Sequence, residues 1–267
     1  MKNTNVVVTA NAKINLGLNI VKKLENGYHN IESIIYPIKW CDILEIIPSK
    51  KFSFSSSGII VPGQNNLCID AYNLLKNDFD IPPVKIHLHK LIPIGAGLGG
   101  GSSDAIFTIK GLNSLFNLKL SNKKLFSYSS KLGADCSFFI ENKACFASGI
   151  GDKIEFVSLD LSKYYIQIIY PNINISTKEA YSLISPITPK TNLKELVKKP
   201  INQWEIINDF EDPIFKVYPK LNEIKHYMYD QGALFVSMSG SGSSIFGIFN
   251  KKPKISSRYS KFTFLSK

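Results

Sequence analysis

The densest chemistry in the chain lies at Pro93-Ile94-Gly95-Ala96-Gly97-Leu98-Gly99-Gly100-Gly101-Ser102-Ser103-Asp104, where glycine fills five of the seven positions 95–101. Glycine lets backbone N–H groups approach an anion closely, and a helix that begins at once adds its positive end. Ser102 and Ser103 place two hydroxyls at that junction, suited to donate to phosphate or to hold Mg2+. The segment reads as a phosphate-binding loop, with an ordinary glycine-rich turn as the competing reading. Gly95, Gly97 and Gly100 also satisfy the dinucleotide GxGxxG spacing, but 117–124 lacks the acidic residue that pattern needs about 20 positions later. No Gly-Lys-Ser/Thr follows the glycines, so a P-loop NTPase fails as well.

Other reactive side chains are sparser. Asp135, in Gly133-Ala134-Asp135, is a carboxylate at a turn between a helix and a strand, and such a tripeptide is also a plain turn. His29 is one of four histidines and follows Gly27-Tyr28, whereas His87 and His89 share one face of a strand and read as structural. Tyr28 and Tyr181 offer flat rings that suit stacking on a nucleobase, or equally a place in the core. Ser239-Gly240-Ser241-Gly242-Ser243-Ser244 is a second Gly/Ser loop, which taken alone is a flexible turn. Four cysteines, at 41, 68, 136 and 145, form no CxxC and have no histidine at metal-ligand spacing, so reduced thiols are expected.

The elements that must position these groups follow from hydrophobic periodicity. Val6 to Ala10 is strand-like, and 12–20 alternates, with Ile14, Leu16, Leu18 and Ile20 on one face and Lys13 and Asn15 on the other. Strands are expected at 31–38, 42–48, 52–62, 84–90 and 164–170, with a hairpin over 144–157. Helical spacing covers 66–76, 105–116, 121–132, 177–185 and a longer stretch within 208–229. Leu234 to Met238 and Ile245 to Phe249 complete a strand, loop and strand. Residues 190–200 read as a loose excursion, and the weakest seam lies near 153–163. Without regular βαβ alternation the class is α+β.

Composition narrows the function classes. The 267 residues suit one or two domains of ~150 residues, and a 44% hydrophobic share excludes wholesale disorder. The longest apolar runs fall far short of the ~20 residues of a membrane span, and 1–13 reads as neither secretory signal nor transit peptide, so a cytoplasmic chain is expected. Net charge is +11, yet Arg258 is the single arginine. Sequence-specific nucleic-acid readers lean on arginine forks, so scattered lysines point to a solvated basic surface that still attracts a polyanionic small molecule.

Pro93 to Ala105 resembles the central motif of the GHMP kinases, which phosphorylate hydroxyls of small molecules. The segments 12–20, 27–33, 133–139 and 237–249 are similar, in order and over nearly the whole chain, to the branch that acts on 4-diphosphocytidyl-2-C-methyl-D-erythritol. The resemblance implies a two-lobed α+β fold, residues 1–155 and 156–267, with the site in the cleft between lobes. It implies transfer of the ATP γ-phosphoryl group, with Mg2+, to the substrate's 2-hydroxyl in the non-mevalonate isoprenoid pathway. Carried over residue by residue, Asp135 becomes the base and Lys13 the cation beside it. Pro93, Gly95, Gly97, Leu98, Gly99, Gly100, Gly101, Ser102 and Ser103 hold ATP, with Ser103 the candidate metal ligand. Asn15, Tyr28, His29, Thr177, Tyr181, Gly240 and Gly242 contact the substrate, His29 recognising cytosine. Asn65 and Asn66 are candidates for the adenine side.

The chain departs from the family pattern at Ser137, where proline is usual, and at Ser148, where arginine is common; its tail after Phe249 is short and Lys-rich, so a poorly formed last helix is expected. The expected partner is a cytidine diphosphate derivative, with no nucleic acid and no membrane, for a monomer or weak homodimer. A homoserine or mevalonate kinase and a non-catalytic nucleotide-binding protein remain as alternatives.

Overall fold

The two runs that predict separate strands near the N-terminus, 6–10 and 12–20, join as one strand, β1 (Val6–Lys23). The computed structural model describes residues 5–61, 66–186, 192–260 and 263–267; the expectation for Asn65 lies outside them. Along the chain follow β2 (His29–Pro48), β3 (Ser53–Gly58), α1 (Leu67–Asp78), β4 (Val84–Lys90), α2 (Gly100–Phe116) and α3 (Asn122–Leu132). Then come a 3-10 turn (Ala134–Ser137), α4 (Phe138–Glu141), β5 (Cys145–Ser148), β6 (Lys153–Phe156), β7 (Tyr165–Ile169), α5 (Thr177–Ser182) and α6 (Leu193–Leu196). The chain ends with α7 (Glu211–Val217), α8 (Pro219–Asp230), β8 (Phe235–Met238), β9 (Ile245–Phe249) and β10 (Thr263–Ser266).

Two compact units are assembled from interleaved stretches. The first takes the chain up to Ala12, Lys39–Ile94 and Gly99–Asn142; the second takes Lys13–Ile38, Gly95–Leu98 and the chain from Lys143 onward. Strands β1 and β2 and the glycine-rich loop therefore each contribute to both.

In the first unit β4 runs parallel to β3 and antiparallel to the end of β2, with Leu44 opposite Leu88 and Ile46 opposite Ile86. Those four side chains are buried, as period-2 alternation requires, with Tyr72 and Leu75 of α1 and Ile109 and Leu112 of α2. Gly111 lets α2 sit close, since a Cβ there would lie 2.8 Å from Ile46 Cδ1. Helix α3 starts on the Ser121 side-chain cap and stops at Gly133.

The second unit is built on the sheet β10-β7-β9-β8. Leu221, Ile224 and Met228 line one face of α8 and share a core with Ile169, Met238, Ile245 and Phe249. The single helix expected within 208–229 is two helices. Tyr218 has φ −124 and ψ 73, and Pro219 opens α8; the proline ring disfavours helical geometry in the residue before it. The excursion expected at 190–200 contains α6, capped by the Asn192 side chain. Among the described residues the tail forms no helix but β10, paired antiparallel with β7 from Thr263 opposite Ile169. Three strands of the sheet thus carry the α8 core, and truncating it tests that packing. Ile224 is fully buried, so Ile224→Ala is expected to cost about 2–5 kcal/mol in denaturant unfolding; a loss below about 1 kcal/mol would place Ile224 outside the core.

Candidate active site

Strand β1 buries both its faces where it carries Lys13 and Asn15, which are 4% and 3% exposed. A buried ammonium needs partners, and Lys13 Nζ donates to Asn15 Oδ1 at 2.6 Å. Asn15 Nδ2 passes the polarity on to Ser33 Oγ at 2.7 Å, and that hydroxyl donates to Gly17 O at 2.5 Å. The backbone of β1 is tied to the glycine-rich loop by Lys13 N donating to Leu98 O at 2.9 Å. Ser239 completes the connection: its Oγ accepts from Asn15 N at 3.2 Å and donates to Gly97 O at 2.8 Å. The second Gly/Ser loop is therefore a rigid neighbour of Gly95–Leu98 and β1, closed by Ser239 N to Ser244 O and Ser244 N to Ala96 O.

Three glycines, Gly97 expected on the ATP side and Gly240 and Gly242 expected at the substrate, have a reason inside the protein. Gly97 has φ +75, and a Cβ on it would lie 1.9 Å from Ser239 O. Gly240 has φ +57, and its Cβ would lie 3.2 Å from Asn15 Oδ1. Gly242, at φ +89, would press on Met238 Sδ.

His29 and Tyr181 come together as the sequence suggests, stacked at 4.6 Å between centroids and 22° between planes. Burial first, and the charge of Lys23 second, hold the His29 imidazole below its usual 6.5. Tyr28 does not join the stack; it is 60% exposed at the turn before β2. Thr177 is exposed as the first residue of α5, where the capping side chain is that of Ser176.

The sequence reading missed Asn208, Asp209, Phe210 and Glu211. Asn208 Nδ2 donates to Met238 O and Gly240 O, both at 2.8 Å, and Asp209 Oδ2 accepts from Ile20 N at 2.6 Å. Phe210 meets Tyr181 edge-on at 5.0 Å, and Glu211 Oε1 accepts from Ser237 Oγ and Met238 N. These four consecutive residues hold the second loop, β1 and the stacked pair. The signal is three polar residues around a phenylalanine leading into a helix, which resembles an N-terminal cap.

In the first unit, α2 starts earlier than expected, at Gly100, with Gly99 as N-cap at φ 67 and no side-chain cap. Gly99 thus offers no capping side chain to the leading N–H groups of α2, which suits an anion. Ser103 Oγ is buried and, among the described residues, lacks a hydrogen-bond partner, as does Asp104 Oδ1. Asp135 does not lie between a helix and a strand. It sits half-buried in the 3-10 turn between α3 and α4, because residues 138–141 continue as helix. Cys136 Sγ donates to Ser102 O at 3.8 Å, tying that turn to the start of α2. Ser137, in place of the usual proline, donates Oγ to Ala134 O within the turn. Cys41, Cys68, Cys136 and Cys145 are free thiols, as expected. Asn66 caps α1, its Oδ1 accepting from Cys68 N at 2.8 Å. No cluster of three or more His, Cys, Asp or Glu suited to a metal occurs among the described residues, and no described helix is long and apolar enough to cross a membrane.

Known proteins match this arrangement. The family model for the GHMP kinases N terminal domain matches residues 66–143, and that for the GHMP kinases C terminal matches residues 191–264. The chain is 50% identical over 249 residues to a 4-diphosphocytidyl-2-C-methyl-D-erythritol kinase of Cytophaga hutchinsonii, covering 91% of this chain and 92% of that one. It is 40% identical over 258 residues to the protein of that name in Porphyromonas gingivalis, covering 94% of each. A crystal structure of 4-(cytidine 5'-diphospho)-2C-methyl-D-erythritol kinase superposes with TM-score 0.79 at 31% identity, over 91% of this chain and 90% of that one. A homoserine kinase structure, at 18% identity and TM-score 0.67, shares the fold alone. The α+β fold is that of the GHMP kinases, and the chain belongs to their 4-diphosphocytidyl-2-C-methyl-D-erythritol kinase family.

Proposed function

We propose that the chain transfers the γ-phosphoryl group of ATP to the 2-hydroxyl of 4-diphosphocytidyl-2-C-methyl-D-erythritol, in the non-mevalonate route to isoprenoid precursors. The observation that carries the reading is Ser239 Oγ, which joins the loop at Gly97 to the strand bearing Lys13 and Asn15. Phosphoryl transfer asks little of a protein beyond positioning and charge stabilisation, and this hydroxyl fixes an anion-binding backbone against a buried cation. The stacked His29 and Tyr181 favour a cytidine-bearing acceptor over homoserine or mevalonate.

Each residue then has a defined task. The backbone N–H groups of Gly95, Gly97, Leu98, Gly99, Gly100 and Gly101 face the phosphates, with Pro93 fixing entry to the loop and the Ser102 hydroxyl donating. The orphaned Ser103 Oγ fits a magnesium ion, which when bound supplies neutralisation of phosphate charge. Asp135 accepts the proton of the attacking 2-hydroxyl, and the Lys13 ammonium stabilises the negative charge that develops on that oxygen. Asn15 hydrogen-bonds the acceptor, and Gly240 and Gly242 let the second loop's backbone approach it. His29 reads the polar edge of cytosine while Tyr28, Tyr181 and Thr177 border the base. The reading is that of a cytoplasmic enzyme on a small-molecule substrate, a monomer or weak homodimer with no nucleic-acid or membrane partner.

A coupled ADP-release assay with the cytidine diphosphate acceptor tests the whole reading, and absence of turnover would end it. Asp135→Asn is expected to lower kcat by about 10²–10⁴-fold with both KM values within a few-fold of the parent. Retention of near-normal kcat would remove Asp135 as the base.

The His29 ring, already below 6.5, is neutral at pH 7, so one ring nitrogen is free to accept. KM for the acceptor is expected to stay level above pH 7 and to rise on acidification, as protonation converts that acceptor into a donor. His29→Ala should raise the acceptor KM about tenfold, leave the ATP KM unchanged and abolish the acid rise. An acid rise that survives in His29→Ala belongs to another group.

A further inference from the structure

The residues flanking the glycine-rich loop take part in a buried ion cluster that the proposed chemistry does not use. Lys90 Nζ, at the end of β4, donates to Asp42 Oδ2 at 2.5 Å and to Asp104 Oδ2 at 2.6 Å. All three side chains are at most 4% exposed. Asp42 Oδ1 accepts from two further donors, Leu91 N at 2.6 Å and Ile92 N at 2.8 Å, the two residues that lead into Pro93. Asp104 directly follows the first turn of α2, immediately after the serines. The cluster therefore grips the chain just before the loop and just after it.

Gly100 belongs to the same device. A Cβ there would lie 2.9 Å from Lys90 Nζ and 3.0 Å from Ile92 Cγ2, so the absent side chain makes room for the ammonium. Gly100 has no unusual backbone angle to explain it, being the first residue of α2.

The energetics argue against a purely stabilising role. Three desolvated ions are a weak source of stability, and apolar groups of similar volume often do as well or better. Two carboxylates share one ammonium, and Asp104 Oδ1 has no partner among the described residues. Burial pushes the Asp104 carboxyl up, and the Lys90 ammonium pulls against that push, so the charge on Asp104 depends on its place in the cluster. What such a cluster does supply is direction, because each carboxylate fixes one stem of the loop through charge-assisted hydrogen bonds.

We propose that Asp42, Lys90 and Asp104 are positioning residues for ATP: a buried clamp that sets the spacing of the two stems of the phosphate loop. None of them touches the nucleotide. The inference rests on the reading that 95–103 holds the ATP phosphates, and goes beyond it in assigning what gives that loop its shape.

The test separates positioning from stability. The triple variant Asp42→Asn/Lys90→Met/Asp104→Asn removes every buried charge of the cluster. Asp104→Ala releases only the α2 stem and leaves Lys90 with Asp42 as a balanced pair. Melting temperature and ATP affinity, by calorimetric titration of ATP with Mg2+ and no acceptor present, are measured for both beside the parent. The expected result is a triple variant that melts near the parent yet binds ATP at least tenfold more weakly, with Asp104→Ala weakened about fivefold. In turnover the ATP KM rises and the acceptor KM does not. If the triple variant fails to fold, Asp104→Ala decides the matter alone. A folded Asp104→Ala protein that binds ATP as tightly as the parent overturns the clamp. Parent protein that binds ATP without phosphorylating the acceptor overturns the functional reading and leaves the clamp standing, since titration reads binding directly.

Discussion

One hydroxyl carries much of the second unit's site. Ser239 Oγ is buried, so both its donor and its acceptor capacity must be used within the protein, and it spends them on Gly97 O and Asn15 N. That single pair of bonds fixes the first loop, the second loop and β1 against one another. The separation it sets is so small that Gly97 has to be glycine for the backbone of the second loop, whatever else it does for an anion. From there the chain of buried polar groups runs through Asn15 to Lys13 on one side and to Ser33 and Gly17 on the other. A network in a low-dielectric interior is costly when partly made and directional when complete.

The same logic organises residues 208–211. Their side chains satisfy backbone groups on β1, β8 and the second loop, and Phe210 buttresses the ring that stacks on His29. The second loop looks like a flexible Gly/Ser turn only while its partners are ignored. With Asn208 on the carbonyls of Met238 and Gly240 and Ser239 on the first loop, its glycines serve close approach rather than mobility. In the first unit the equivalent service is ionic: the stems of the loop are held by the Asp42, Lys90 and Asp104 charges rather than by neutral hydroxyls.

Much of the secondary structure was legible because it follows from local periodicity. The strand 84–90 and the helix at 121–132 appear within a residue of their expected ends, and the hairpin of 144–157 forms as β5 and β6. Misjudged elements had non-local causes. Tertiary pairing joined the two N-terminal runs into β1, and pairing with β7 gave the Lys-rich tail a strand. The break at Pro219 is written in the sequence as a proline, although the apolar pattern runs on across it. Asp135 follows a helix, as expected, but the residues beyond it continue as helix, with Phe138, Phe139 and Ile140 all buried, where a strand is expected.

The sequence by itself determined the glycine-rich loop, the stock of candidate catalytic side chains and the family, because those depend on residue type at short spacing. Glycine density followed by Ser-Ser-Asp is visible without coordinates. Only the tertiary structure decided why particular glycines are required, that Lys13 and Asn15 are buried rather than facing solvent, and that Lys90, Asp42 and Asp104 are one cluster. Asp42 and Lys90 stand 48 positions apart, and Asn15 and Ser239 stand 224 apart. Hydrogen bonds and ion pairs act over a few ångströms of space with no regard for distance along the chain. A linear reading can name the groups that do chemistry, but the contacts that hold those groups in place exist only once the chain has folded.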